Sequence, residues 1–363
     1  MSAVAPDEPG VASARGVAIA LVVLGHAAVS FLATPIGWAV RDDARWLGAD
    51  AAVWLIRQFA MPAFFAMGGV AAARLLATRG VRGYLMQRAR RVVLPLVIAL
   101  VPVSLAMNAL WDWGREVAAR GQVAEAVPHL RGSSLPVTLA HLWFLYYLAA
   151  LSLGGLAIAA ALAGDRAARA CDRLVAPLVT RPVLALPVLA LPAWAALAWR
   201  GQLQLDTPLG FAIDPVVLGY FATFFAWGWW LAARREGLAA IGNALPALAA
   251  LAVVATAAAV PALLDSRDGA RPPLHATAAA ALGSWALVAT LVGATRRWLP
   301  RAPRALATLA TDSLWIYVVH LPLVVLVQIV VAPWAWPGPA AYALVAATGL
   351  GGSALVARAL RRV

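Results

Sequence analysis

Arg88-Ala89-Arg90-Arg91 stands directly before Val92-Val93-Leu94-Pro95-Leu96-Val97-Ile98-Ala99-Leu100-Val101-Pro102-Val103-Ser104-Leu105-Ala106-Met107, and no charged residue follows until Asp112. An uncharged run of this length behind a basic cluster matches the hydrocarbon core of a bilayer, which an α-helix crosses in about 20 residues. In lipid only helices and closed barrels satisfy their own backbone. A barrel strand would be about ten residues long and would alternate polar with apolar. This stretch does neither, so it reads as a transmembrane helix whose basic end stays in water.

The same pattern recurs along the chain. Spans are expected at roughly 15–34, 50–73, 92–111, 140–163, 182–199, 214–233, 240–263, 274–295, 305–332 and 339–357. The 363 residues are 63% hydrophobic and 12% charged, with mean hydropathy +0.81. A soluble domain carries roughly a quarter charged residues. The reading is an all-α polytopic transmembrane bundle of about ten spans. The longest connections, 112–139 and 164–181, are too short for a soluble domain, and no fixed-period repeat is visible.

Orientation follows from the basic residues, all 29 of which are Arg. Arg74, Arg79, Arg82, Arg88, Arg90, Arg91, Arg166, Arg169, Arg173, Arg181, Arg234, Arg235, Arg296, Arg297, Arg301, Arg304, Arg358, Arg361 and Arg362 lie in even-numbered connections and the C-terminal tail, 19 in all. The odd-numbered connections hold 8. This alternation is the positive-inside signal and predicts both termini in the cytoplasm. It also accounts for the net charge of +13 without a nucleic-acid partner. The single Cys171 excludes an internal disulfide and any multi-Cys metal site. The five His are scattered with no His-x-x-x-His pair, so no metal site is expected. His26 inside the first apolar run argues that span 1 is retained and not cleaved as a signal peptide.

Ionisable residues inside spans are costly and usually functional. His26 follows Arg15 by eleven residues, about 16 Å along a helix and nearly on the same face. An anion held at Arg15 could extend a thin tail to His26; the plainer reading is a structural His bonded to a neighbouring helix. Arg88 and Arg91 share a face if helical, and two guanidinium forks suit phosphate. The same pair would serve as a topology anchor, which spacing alone favours. Arg57, in the outer half of span 2, either snorkels outward or pairs with an inward acceptor. His141-Leu142-Trp143-Phe144-Leu145-Tyr146-Tyr147 opens span 4 as an aromatic belt, with sugar stacking as a second reading. Ser313, Tyr317 and His320 fall on one helical face beside Pro322, which bends a helix.

Taken in order, Arg15…His26, Met61-Pro62-Ala63-Phe64-Phe65-Ala66-Met67-Gly68-Gly69, Arg88-Ala89-Arg90-Arg91…Pro95, His141-Leu142-Trp143-Phe144-Leu145 and Ser313…Tyr317…His320-Leu321-Pro322 resemble the acyltransferase family 3 membrane proteins. The His-Leu-Trp-Phe-Leu run is most similar to the glucans biosynthesis protein C branch. The resemblance implies one integral membrane acyltransferase domain over 1–363 in the bacterial cytoplasmic membrane. Its expected activity is transfer of an acyl group, acetyl or succinyl, from cytoplasmic acyl-CoA to a hydroxyl of a cell-envelope carbohydrate. Acetyl-CoA or succinyl-CoA is then a co-substrate and no cofactor is permanently bound. The partners are the acyl-CoA, the carbohydrate acceptor and the lipid bilayer.

The resemblance makes His26 the essential catalytic residue in an Arg-x10-His pattern with Arg15, and ties Arg88 and Arg91 to the donor. His26 is expected to act as general base on the sugar hydroxyl; an acyl-His intermediate is the alternative. Tyr317 and His320 are expected to position the acceptor or stabilise the oxyanion. His141, Trp143, Arg57 and Ser313 are expected to bind the acceptor. Two departures stand out: Gly68-Gly69-Val70 replaces a segment usually ending Ser-Gly-Phe, and no hydrolase-like domain is fused. A transporter or flippase is the competing class, but the chain shows no inverted repeat and few intramembrane carboxylates. A non-catalytic assembly protein is the third.

Overall fold

The computed structural model describes residues 10–34, 36–121, 123, 137–266 and 270–361. Among them there are helices and no strand. In chain order the helices are α1 (Val11–Ala28), α2 (Leu47–Arg88), α3 (Leu94–Arg120), α4 (Trp143–Ala161), α5 (Asp165–Thr180) and α6 (Pro182–Arg200). They continue with α7 (Pro215–Ala233), α8 (Arg235–Asn243), α9 (Leu245–Asp265), α10 (Leu274–Trp298), α11 (Arg304–Val331) and α12 (Gly338–Leu360). A π-turn, Ala89–Val93, joins α2 to α3.

Among the described residues, nine helical stretches are long and apolar enough to cross a membrane. The longest, Leu47–Arg120, has 74 residues and would run about 110 Å if straight, over three bilayer cores. It does not run straight. Gly80 takes φ 63° and ψ −176°, a conformation glycine adopts without a Cβ clash. Beyond it, Arg88 Nη2 donates to the Gly68 carbonyl at 3.4 Å, although 20 residues of continuous helix would separate them by about 30 Å. The chain therefore doubles back at Gly80, and this stretch crosses twice. The nine stretches supply ten crossings.

The bundle's surface is apolar where a soluble protein's is polar. Leu94, Val97, Ile98, Val101 and Leu105 form one exposed stripe down α3, with Val97 62% exposed. Such a stripe is at home against lipid chains. Inside, α1 packs against α2, α11 and α12, while α2 packs on α4 and α7, and α10 on α2, α6 and α9. The α2–α7 crossing is a backbone contact. A Cβ on Gly69 would strike the Phe225 carbonyl, and one on Gly228 the Ala66 carbonyl. Small residues permit this approach between membrane helices. In the run Gly68-Gly69-Val70, Gly69 falls on the glycine of the usual Ser-Gly-Phe, and its lack of a side chain is what the contact requires.

Two connections differ from expectation. The 164–181 segment holds a helix, α5, whose Arg166, Arg169 and Arg173 are exposed while Val175 and Val179 are buried. Helix α3 continues past Trp111 to Arg120 and ends at Gly121 with φ 70°. At the opposite end from the Arg clusters, Asp214 caps α7, its carboxylate accepting the Val216 and Val217 amides at 2.9 and 3.2 Å and pairing with Arg200. Burial pushes that carboxyl up, but the two amides and Arg200 together outweigh it and hold it below the usual carboxylate range.

Candidate active site

A proline opens a hydrogen-bonding group inside the bundle. A proline lacks the N–H that would bond the carbonyl four residues earlier. Pro322 in α11 thus releases the Val318 carbonyl. His141, in the short 3₁₀ turn Ala140–Leu142, supplies the missing donor: its Nε2 lies 3.0 Å from both the Tyr317 and the Val318 oxygens. The Tyr317 hydroxyl returns a bond to the His141 carbonyl. The turn before α4 is thereby locked onto the bend in α11.

His320 is fully buried on the same bend. Its Nδ1 lies 2.7 Å from the Tyr317 carbonyl, so that nitrogen carries the proton and Nε2 is left as an acceptor. His26, in the last turn of α1, places Nδ1 3.0 Å from the Val22 carbonyl and 3.2 Å from His320 Nε2. Both neighbours are acceptors, so His26 Nδ1 carries the proton and shares it between them. The free lone pair of His26 is then on Nε2. These tautomers follow from the hydrogen-bond partners of each ring. The three imidazoles cluster: His320 lies 5.0 Å from His26 and 5.1 Å from His141 between ring centroids. His141 Nε2 is turned to backbone carbonyls, and its Nδ1 is buried with no hydrogen bond.

Sequence reasoning missed the support for this pair. Gln328, 2% exposed and two turns beyond His320 on α11, donates from Nε2 to the His26 and Ala27 carbonyls at 2.9 and 3.1 Å. These are C-terminal carbonyls of α1, which a helix leaves short of partners. Gln328 Oε1 accepts from Trp38 Nε1 at 2.8 Å. Trp38 stacks on His26 at 6.5 Å and 21°, and is backed by Trp111. The 29–46 connection that carries Trp38 is fixed by Asp50, whose carboxylate accepts the Ala33 and Thr34 amides at 2.8 and 3.0 Å. An uncharged polar residue in an apolar span was the available signal for Gln328.

Other expected residues sit elsewhere. Trp143 is buried in an aromatic stack with Phe65, Tyr147 and Phe221. Ser313 donates to the Ala310 carbonyl of its own helix at 2.9 Å. Arg57 reaches the Leu205 carbonyl at 3.2 Å. Arg88 turns inward, over the Tyr84 ring at 5.5 Å and toward Gly68, whereas Arg91 on the π-turn is exposed. Half-buried Arg15 lies in the second turn of α1, about 16 Å below His26 along the axis. Beside that turn, at the Arg-rich end, is a small apolar void of about 20 Å³ lined by Val11, Ala14, Met67, Val70, Trp227 and Val292.

The family model for the acyltransferase domain matches residues 9–358. In comparisons with curated proteins and with solved structures, nothing matches. The family match spans every described element, from the turn before α1 to the last turns of α12, and takes in all three clustered histidines. The chain therefore belongs to acyltransferase family 3 and is a multi-pass membrane acyltransferase.

Proposed function

We propose that this protein moves an acetyl or succinyl group from cytoplasmic acyl-CoA to a hydroxyl of a cell-envelope carbohydrate, with His26 as the base. The observation that carries this reading is the His26–His320 pair, which leaves a lone pair on His26 Nε2 within the bundle. The Arg-rich end faces the cytoplasm by the positive-inside rule. Arg15, Arg88 and Arg91 there meet the donor's phosphates, guanidinium forks being suited to phosphate oxygens. From these Arg residues the donor's slender arm leads the thioester toward His26, about 16 Å along α1 from Arg15. The proposed setting is the bacterial cytoplasmic membrane, with the acceptor at the opposite face.

In the transfer step His26 Nε2 takes the acceptor hydroxyl's proton as the oxygen attacks the thioester carbonyl carbon. The carbon–sulfur bond breaks and the leaving thiolate takes that proton back, so the base is regenerated. Positive charge on His26 during the step is shared through Nδ1–H with the His320 lone pair. Tyr317 and His141 fix His320 and the bend that carries it, acting as positioning residues.

The test uses purified protein in nanodiscs, with acetyl-CoA and succinyl-CoA offered separately and free thiol followed. Thiol release that disappears in His26→Ala supports the reading, and the preferred donor names the acyl group. Full release in His26→Ala would remove the proposed base. No release from either donor, with crude envelope glycans added, would turn the reading toward a transporter.

A further inference from the structure

Helix α5, at the Arg-rich end, has three unlike faces. It packs on α6, α7 and α8 with Val175 and Val179 buried, and Val179 lies against Gly237 of α8. Arg166, Arg169 and Arg173 fall within about 60° of one another around the helix, and all three are exposed. Between the buried and the basic faces, about 100–130° from each, are Leu174, 74% exposed, and half-buried Leu178. A helix lying on a protein in water needs only two faces, one apolar and covered, the other polar. A third face that is apolar and bare needs a second apolar surrounding.

That surrounding is lipid. Helix α5 joins α4 to α6, and Ile158 near the end of α4 and Leu184 near the start of α6 are 60% and 72% exposed. Such residues belong against acyl chains. Leu174 extends the same apolar surface to the edge of the bilayer, which puts the neighbouring Arg face at headgroup depth. Asp172, on the same helix, pairs with Arg234. Arg166, Arg169 and Arg173 make no ion pair or hydrogen bond among the described residues. Their guanidinium forks suit phosphate oxygens. An acidic protein would answer the charge but would have to displace lipid from Leu174. A phospholipid answers both faces, with its phosphate on the arginines and its chains on Leu174. A zwitterionic lipid brings its own cation, so an anionic one is preferred.

We infer that α5 is an interfacial helix that gathers anionic phospholipid from the leaflet on its side, with Arg166, Arg169 and Arg173 on the phosphates. Cys171, the only cysteine in the chain, lies on α5, about 20° around the helix from Leu178, and can carry one bimane label. Labelled full-length protein is placed in nanodiscs of equal parts phosphatidylcholine and phosphatidylglycerol. The acyl chains of one lipid or the other are brominated to quench the label. An anionic surface attracts each basic group near it, so brominated phosphatidylglycerol is expected to quench as if enriched about tenfold. Replacing the three arginines together, Arg166→Gln, Arg169→Gln and Arg173→Gln, should bring that ratio to about one. Salt at about 1 M, where the Debye length is about 3 Å, should lower the ratio in the unaltered chain, which covers the case of a variant that does not fold. Equal quenching by the two lipids in wild type, quenching by neither, or a preference that both the variant and salt leave intact overturns the assignment.

Discussion

Replacing His320 by phenylalanine removes the lone pair that faces His26 while keeping a ring in a fully buried site. In the resting state the loss is small, because His26 Nδ1–H keeps the Val22 carbonyl at 3.0 Å. It grows when His26 takes a proton, since the bond to His320 then becomes charge-assisted. Hydrogen bonds to charged groups contribute about 1.5–3 kcal/mol. At about 1.4 kcal/mol per decade, turnover should fall about 10- to 150-fold. The acyl-CoA KM should change little, because His320 lies about 24 Å along α11 from Arg304 at the Arg-rich end. Thiol release in nanodiscs at saturating donor reads the kcat, and a donor titration reads the KM. His320→Gln restores an acceptor oxygen and should recover part of the loss. Wild-type turnover in His320→Phe, or equal crippling of the Phe and Gln variants, would refute the shared-proton reasoning.

Three further outcomes are expected. Pro322→Ala supplies an N–H that competes with His141 for the Val318 carbonyl, so turnover should drop while the unfolding temperature holds or rises; intact turnover would show that the bend is dispensable. Gly228→Leu drives a side chain into the Ala66 backbone and should abolish monodisperse protein on size exclusion, whereas Gly219→Leu on the same helix, with nothing within 4 Å, should behave as wild type. Asp214→Asn keeps a capping oxygen but loses the charge that pairs with Arg200 and faces the start of α7, and should cost about 0.3–1 kcal/mol of stability at neutral pH. Because the folded carboxyl sits below its ordinary value, that contribution is complete above about pH 4 and is lost as pH falls through the lowered value. Thermal unfolding of the two proteins should therefore converge in acid, and a gap that persists there would contradict the capping account.

The crossings were legible because apolar length and Arg placement are one-dimensional properties. His26 and His320 were legible because an ionisable group in an apolar run is costly wherever it points. What sequence withheld was direction. His141 opens an aromatic run that suits a membrane belt, but the carbonyl freed by Pro322 draws it into the interior. Trp143 has the same composition signal as a sugar platform, yet Phe65 and Phe221 close over it. Arg88 and Arg91 share a face on a regular helix, and the π-turn separates them, one inward and one exposed. Gln328 carries no charge, so a search for ionisable groups passes over it.

Gln328 holds the end of the helix that carries His26 and also holds Trp38 across the histidine's face. Those two attachments share one side chain, which makes them a single mechanical degree of freedom. A ligand that swings Trp38 aside pulls on the same amide that sets the height of His26 against His320. Displacing Trp38 would therefore also loosen the carbonyls that end α1 beside His26.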